Sequence, residues 1–162
     1  MSALLEHKEI AALIGAYIGH FAAVEAATHT AFELAVGGNG RWAEAILGHV
    51  QSVATRLDIL ESLLRERVGE LHWAEEALLL IPPLKKANAY RNKLAHGAYS
   101  TEQGANRLLL IGNMFEKKKT FRQEEITAEE IAAEYRSLEQ LLLRLMMAVG
   151  MLPRGFVKPE PR

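Results

Sequence analysis

The sequence predicts a mainly α fold, an up-down bundle of four principal helices with a short β-hairpin before the last helix. Long segments repeat apolar residues at three- and four-residue steps, and clusters of glycine or proline interrupt them. With 162 residues and 49% hydrophobic content, the chain can bury one full core. We therefore expect a single domain over residues 1–152. Residues 153–162 contain three prolines and four charges and are expected to form a flexible tail.

The first predicted helix covers residues 4–36 and has one apolar face. The glycine-rich "VGGNG" at 36–40 ends it, because glycine tolerates the left-handed conformation of a helix terminus. The apolar positions of this helix are Ile10, Ile14, Tyr17, Phe21, Val24, Thr28, Ala31 and Ala35.

Two further helices are predicted over residues 42–68 and 71–96. The second helix begins near Trp42, and its apolar positions are Trp42, Ile46, Val50, Val53, Leu57, Leu60, Leu64 and Val68. The third helix contains Pro82 and Pro83, which remove two backbone donors and restrict the residue before them. We expect this helix to be kinked or broken near Ile81, with Pro83 in the first turn of the next piece.

A β-hairpin and a fourth helix complete the predicted fold. Within residues 105–123, "NRLLLIGNMF" and "EKKKTFRQ" read as two extended segments joined by a charged turn. The last helix begins with a capping box, in which Thr127 is the N-cap and Glu130 lies three residues later. Its apolar positions are Ile131, Tyr135, Leu138, Leu142, Leu145 and Val149.

Composition excludes several classes of function. The 19 basic and 20 acidic residues give a net charge of −1, so any nucleic-acid binding must rest on a local patch. The chain has no cysteine, and its six histidines do not form a metal-ligand pattern. It also lacks a nucleophile elbow and a Walker loop, so we expect no metal and no cofactor. The acidic start and the short uncharged stretch at 11–24 predict a cytoplasmic protein without a membrane partner.

The segment "NAYRNKLAHGAYS" at 88–100 holds the principal candidate site. A helical step of ~100° per residue places Arg91, Asn92 and His96 on one flank beside the core stripe, together with Asn88 and the small Ala95. One interpretation is a surface arginine followed by a histidine in the last helical turn. The other is half of a phosphate-handling site that a twofold-related second copy completes.

The chemistry of these side chains suits cleavage of RNA. Neutral His96 can take the proton of a 2′-hydroxyl, and Arg91 can donate two hydrogen bonds to phosphate oxygens as negative charge develops. Asn92 can orient either group. The 2′-hydroxyl attacks its own neighbouring phosphate, so no metal is required in principle.

The sequence "RNKLAHG" resembles the R-x4-6-H motif of the HEPN superfamily, with four residues between arginine and histidine. The long helical start, the motif at the end of the third helical segment and the final "ITAEEI" helix are similar to that family, over residues 10–148. The resemblance implies a homodimeric, metal-independent endoribonuclease in a toxin–antitoxin or defence system, leaving a 2′,3′-cyclic phosphate. It equally allows a non-catalytic module that binds a nucleotide or a protein, such as a nucleotidyltransferase or an antitoxin.

Five further residues are candidates for contacting the substrate. Between residues 85 and 122 the chain has nine basic and two acidic side chains, which could follow a phosphate backbone or be a solvated hairpin tip. Some HEPN toxins have a tyrosine two residues after the histidine, and here the nearest tyrosine is one position later. The candidates are Asn88, Lys85, Lys93, Tyr99 and Glu25.

Overall fold

The computed structural model describes residues 3–102, 107–112 and 123–152, and 72% of these residues are helical. The helices are α1 (Ala3–Glu6), α2 (Lys8–Ala35), α3 (Gly40–Leu47), α4 (Val53–Glu66), α5 (Ala74–His96) and α6 (Ala128–Ala148). The strands β1 (Ala98–Thr101), β2 (Leu108–Ile111) and β3 (Gln123–Ile126) form one antiparallel sheet in the order β1-β2-β3. The predicted fold class, mainly α with a short antiparallel element before the last helix, is confirmed.

Backbone contacts divide the described chain into two compact units. The first unit takes its residues from 1–22 and 86–139, and the second takes its residues from 23–85 and 140–162. Helices α2, α5 and α6 each contribute to both units. The single domain over residues 1–152 stays a prediction, and the predicted tail at 153–162 lies outside the described residues.

Helix α2 follows the first predicted helix closely. The predicted apolar face is buried at every position except Ile10, which is half-buried. Gly37 and Gly38 have φ values of 89° and 74°, and the Gly38 N–H donates to the Glu33 carbonyl oxygen at 2.9 Å. The glycine-rich termination is therefore confirmed.

Among the described helices, α2 alone is long and apolar enough to meet the length and composition criteria for a membrane span. Its most apolar 18-residue window has a mean hydropathy of 1.6, and 28% of that window is buried within the protein. Core helices of globular proteins meet the same criteria, and Tyr17 and Phe21 on α2 are at most 1% exposed. The cytoplasmic location stays a prediction.

The predicted continuous helix over residues 42–68 is wrong. The structure has two helices there, because Asn39 caps α3 at its start and Ser52 caps α4, accepting a hydrogen bond from the Thr55 N–H at 3.3 Å. Trp42 is 64% exposed and Ile46 is 44% exposed, so the predicted apolar stripe holds only in α4. There Leu57, Leu60 and Leu64 are fully buried in the second unit.

Of the two alternatives predicted near Ile81, a kink or a break, the structure has no break, and the kink stays a prediction. Helix α5 runs without interruption from Ala74 to His96 with Pro82 and Pro83 inside it. A proline in a helix interior costs about 3 kcal/mol. Burial compensates, since Leu80, Ile81 and Leu84 beside the prolines are at most 1% exposed and each buried side chain of this size contributes roughly 1.5–3 kcal/mol.

The predicted hairpin is part of a three-stranded sheet. Strand β2 lies in the first predicted extended segment, whereas most of the second predicted segment falls at 113–122, outside the described residues. Strand β1 begins two residues after α5 ends and was not predicted. In β2 the side chains alternate between buried and half-buried, as expected for a strand with one face on a core.

The capping box of α6 is confirmed. The Glu130 N–H donates to Thr127 Oγ1 at 3.2 Å, and the Thr127 N–H donates to Glu130 Oε2 at 3.4 Å. The predicted stripe of this helix is buried except for the half-buried Tyr135.

Candidate functional site

Helix α5 keeps the candidate residues on a regular helical flank. Its last turn closes with the Gly97 N–H donating to the Lys93 carbonyl oxygen at 3.0 Å, so the helical spacing holds up to His96. Asn88 is 5% exposed, Arg91 and Asn92 are half-buried, and His96 is exposed. The flank therefore passes from the core at Asn88 to the surface at His96.

Arg91 and Asn92 are joined by a hydrogen bond. Arg91 Nη1 donates to Asn92 Oδ1 at 3.1 Å. The Arg91 Nε is buried and has no hydrogen-bond partner among the described residues. Since an amide oxygen carries no formal charge, this bond orients the guanidinium without neutralising it.

Arg91 differs from the other described basic residues of its segment. Each of those residues lies within 4 Å of a carboxylate, whereas no carboxylate of the described residues lies that close to Arg91. The pairs are Lys85 with Asp58 and Glu61, Lys86 with Glu134, Lys93 with Glu124, and Arg107 with Glu125. Among the described residues, the positive charge of Arg91 is therefore not balanced by a carboxylate.

His96 is the last residue of α5 and is exposed. Its imidazole makes no hydrogen bond or ion pair with any described residue. The ring can therefore reach an incoming group, and its position depends on the backbone of the last helical turn.

Tyr99 lies against that last turn. Its hydroxyl donates a hydrogen bond to the Leu94 carbonyl oxygen at 2.5 Å. Burial raises the pKa of Tyr99 to about 12, so the phenol is neutral at physiological pH. Lys93, another predicted substrate contact, has its ammonium 2.6 Å from Glu124 Oε1.

An aromatic side chain of α2 supports α5 within the first unit. Tyr17 is fully buried on α2, and its hydroxyl donates to the Ala87 carbonyl oxygen at 3.3 Å. Its ring meets Tyr90 edge to face, with centroids 5.2 Å apart and an interplanar angle of 75°. These contacts fix the helix just before the Arg91 turn.

Two predicted site residues belong to the second unit. Lys85 contacts Asp58 at 2.6 Å and Glu61 at 2.7 Å, and these carboxylates raise its pKa. Glu25 lines a small cavity whose other walls come from Thr28, His29, Phe32, Leu47, Val53 and Arg56. The first unit brings together Asn88, Arg91, Asn92, Lys93, His96 and Tyr99.

Leu110 and Glu124 also contact the last turn of α5, and they were not among the predicted site residues. A Cβ added to Gly97 would clash with Leu110 Cδ1, and Glu124 pairs with Lys93. The sequence contained one signal for this contact: a glycine directly after the motif indicates that another group approaches closely.

Comparison of the chain with protein-family models, with curated proteins and with solved structures found no match.

Proposed function

We propose that this protein is a metal-independent endoribonuclease of HEPN type that acts as a homodimer. Arg91 carries the proposal: among the described lysines and arginines between positions 85 and 107, it alone has no described carboxylate within ion-pair distance. It shares the helical flank with Asn92 and the accessible His96. RNA cleavage by this route needs a cation that binds the phosphate and a general base beside it. Arg91 would supply the cation, and His96 would supply the base.

The proposed reaction is an internal transesterification. Neutral His96 removes the proton from the 2′-hydroxyl, whose oxygen forms a bond to the adjacent phosphorus. Arg91 donates hydrogen bonds to the non-bridging oxygens as their negative charge increases. The bond from phosphorus to the 5′-oxygen breaks, and an imidazolium from the second copy protonates that oxygen. The products are a 2′,3′-cyclic phosphate and a 5′-hydroxyl.

Two copies are proposed because one flank is open to solvent. Ala89, Ala95 and His96 are exposed on α5, and the two alanines would allow a second helix to approach closely. A twofold axis beside them would place two arginines and two histidines in one cleft. One histidine would act as the base and the other as the acid.

The test uses purified variants on a mixture of structured and single-stranded RNAs. Arg91→Ala and His96→Ala are each expected to lower cleavage by about 10²–10⁴-fold, because each removes a group that acts in the transition state. Arg107→Ala and His72→Ala are the matched controls, since they remove an ion-paired arginine and an exposed histidine elsewhere. EDTA should have no effect, and mapping of RNA ends should show cyclic phosphates.

Full activity in both Arg91→Ala and His96→Ala would contradict the proposal. RNA or nucleotide binding without cyclic phosphate in the wild type would favour the non-catalytic HEPN-like module instead. Expression of wild type and His96→Ala in bacteria tests the toxin role, which predicts that only the wild type arrests growth.

A further inference from the structure

Each strand of the sheet supplies one side chain to the last turn of α5. From β1, the Tyr99 hydroxyl donates to the Leu94 carbonyl oxygen at 2.5 Å. From β2, Leu110 lies so close to Gly97 that an added Cβ would clash with its Cδ1. From β3, Glu124 Oε1 lies 2.6 Å from Lys93 Nζ. The three contacts differ in kind: a hydrogen bond, a packing contact and an ion pair.

The strand register explains why these three residues act together. Tyr99 pairs with Leu110, and Leu110 pairs with Glu124, so they form one cross-strand row. Residues directly opposite each other in antiparallel strands project from the same face of a sheet. Leu108 and Ile126, two positions along their strands and therefore on that same face, are at most 4% exposed. The cross-strand row, Tyr99–Leu110–Glu124, therefore crosses the buried face of the sheet at the end of α5.

The last turn of a helix needs such support. Helix ends have unpaired carbonyl groups and fray more readily than helix interiors. Here the Leu94 carbonyl oxygen accepts the Tyr99 hydroxyl, which supplies the missing donor. His96 lies between Leu94 and Gly97 and has no side-chain partner of its own among the described residues. The backbone that the row contacts is therefore what determines where the imidazole lies.

We propose that the cross-strand row holds the last turn of α5 in place, and that Tyr99 is a positioning residue for His96. The positioning role rests on the proposed ribonuclease function. Tyr99 does not act on the RNA, because its hydroxyl proton is directed at the Leu94 carbonyl. The row acts through the backbone: it fixes the turn, and the turn fixes the general base. A displacement of about 1 Å at a reacting group can lower a rate by about 10²-fold.

Tyr99→Phe tests this proposal, since it removes one hydroxyl and keeps the ring. Its matched control is Thr101→Val, on the same strand and the same face, which removes the hydrogen bond from Thr101 Oγ1 to Glu6 Oε2 at 3.1 Å. Three quantities are compared with the wild type: amide hydrogen exchange at Gly97, the NMR signals of the His96 imidazole, and kcat with KM. Thermal melting confirms that both variants are folded at the assay temperature.

Tyr99→Phe is expected to accelerate exchange at Gly97 about fivefold, the effect of losing one hydrogen bond. The His96 imidazole signals should shift or broaden, and kcat should fall about tenfold with KM nearly unchanged. Thr101→Val should leave all three quantities unchanged. This pattern would support the row as the element that positions His96.

The other outcomes separate the two proposals. Unchanged Gly97 exchange and His96 signals in Tyr99→Phe would show that the row does not hold the turn. Faster exchange with unchanged kcat would overturn the positioning role while the contact stands. A wild type that cleaves no RNA would overturn the proposed function and the positioning role with it, and the exchange experiment would still decide whether the row holds the turn.

Discussion

Arg91 shows how burial restricts the partners of a single charged residue. Leaving a polar group buried without a partner costs free energy, and a buried charge costs more. Within the described residues, the guanidinium has only the neutral Asn92 oxygen as a partner, and its Nε is buried without one. In the proposed ribonuclease, a phosphate would accept hydrogen bonds from the remaining N–H groups of the guanidinium and would balance its charge.

Three tyrosines of the first unit make stability depend on alkaline pH. Burial, as the largest cause, raises the pKa of Tyr90 and Tyr99 to about 12, and that of Tyr17 rises as well, with Glu134 adding to the effect at Tyr17 and Tyr90. In the unfolded chain these phenols ionise near pH 10. Between about pH 10 and about pH 12 the unfolded state therefore binds fewer protons than the folded state, and the free energy of unfolding falls as the pH rises.

This pH dependence can be measured with urea unfolding at several pH values from about 9 to about 11.5. The wild type should lose stability steadily above about pH 10, and ultraviolet absorbance should show late ionisation of these phenols. Tyr99→Phe should show a shallower loss because it lacks one of the titrating groups. Identical slopes for wild type and Tyr99→Phe would contradict a raised pKa at Tyr99.

At the scale of elements, capping residues indicate where the helices begin better than the spacing of apolar residues does. The stripe that predicts one helix over residues 42–68 continues across a real interruption, because Val50 and Val53 keep the helical spacing by coincidence. The caps at Asn39 and Ser52 mark the true starts of α3 and α4. In α5 the sequence suggests an interruption at the prolines, but the helix continues through them. Burial of the surrounding leucines and isoleucine maintains it.

A pair of glycine substitutions tests how α5 and the sheet meet. In Gly97→Ala the new Cβ would clash with Leu110 Cδ1 and lie 2.8 Å from the Lys93 carbonyl oxygen, so the free energy of unfolding should fall by about 1–3 kcal/mol. Gly15→Ala is the matched control inside α2, where nothing lies within 4 Å of the added Cβ. Better helix propensity should raise stability there by about 0.5–1 kcal/mol.

Urea unfolding of both glycine variants decides the matter. Both variants add the same methyl group, but the free energy of unfolding is expected to fall in Gly97→Ala and to rise in Gly15→Ala. A Gly97→Ala protein as stable as the wild type would mean that Leu110 does not approach the end of α5 as closely as described.

At the scale of the whole molecule, the net charge is −1, and carboxylates at 124–134 pair with Lys86, Lys93 and Arg107. Residues 117–119 and 122, which contain the remaining basic side chains of the segment, lie outside the described residues. Among the described lysines and arginines of the segment, all but Arg91 are therefore balanced locally. In the proposed ribonuclease, RNA affinity should depend more on Arg91 than on these paired cations.

The proposed dimer predicts that an inactive copy disables its partner. A mixed dimer of wild type and His96→Ala has a single histidine in the shared cleft, so it lacks either the base or the acid. After subunit exchange with an about threefold excess of His96→Ala, the activity of the wild type should fall to about a quarter. The same excess of His72→Ala is the control and should not lower the activity. Verified subunit exchange with His96→Ala without loss of activity would exclude a composite cleft.

Features that depend on neighbours within a few positions were predictable from the sequence alone. These are the apolar stripes of α2 and α6, the glycine termination after α2, the capping box of α6 and the helical flank that contains Arg91, Asn92 and His96. Periodicity and capping are local, because they involve residues about one turn apart. No alignment of distant segments is required to recognise them.

The contacts that support that flank depend on the tertiary fold. Lys93 meets Glu124 across 31 positions of sequence, and Tyr17 reaches Ala87 across 70. Which cations find a carboxylate, and which strand faces the end of α5, depends on chain segments that folding brings together. Local patterns contain no information about contacts between distant segments. The sequence therefore could not predict that no described carboxylate lies beside Arg91, nor that the cross-strand row contacts the end of α5.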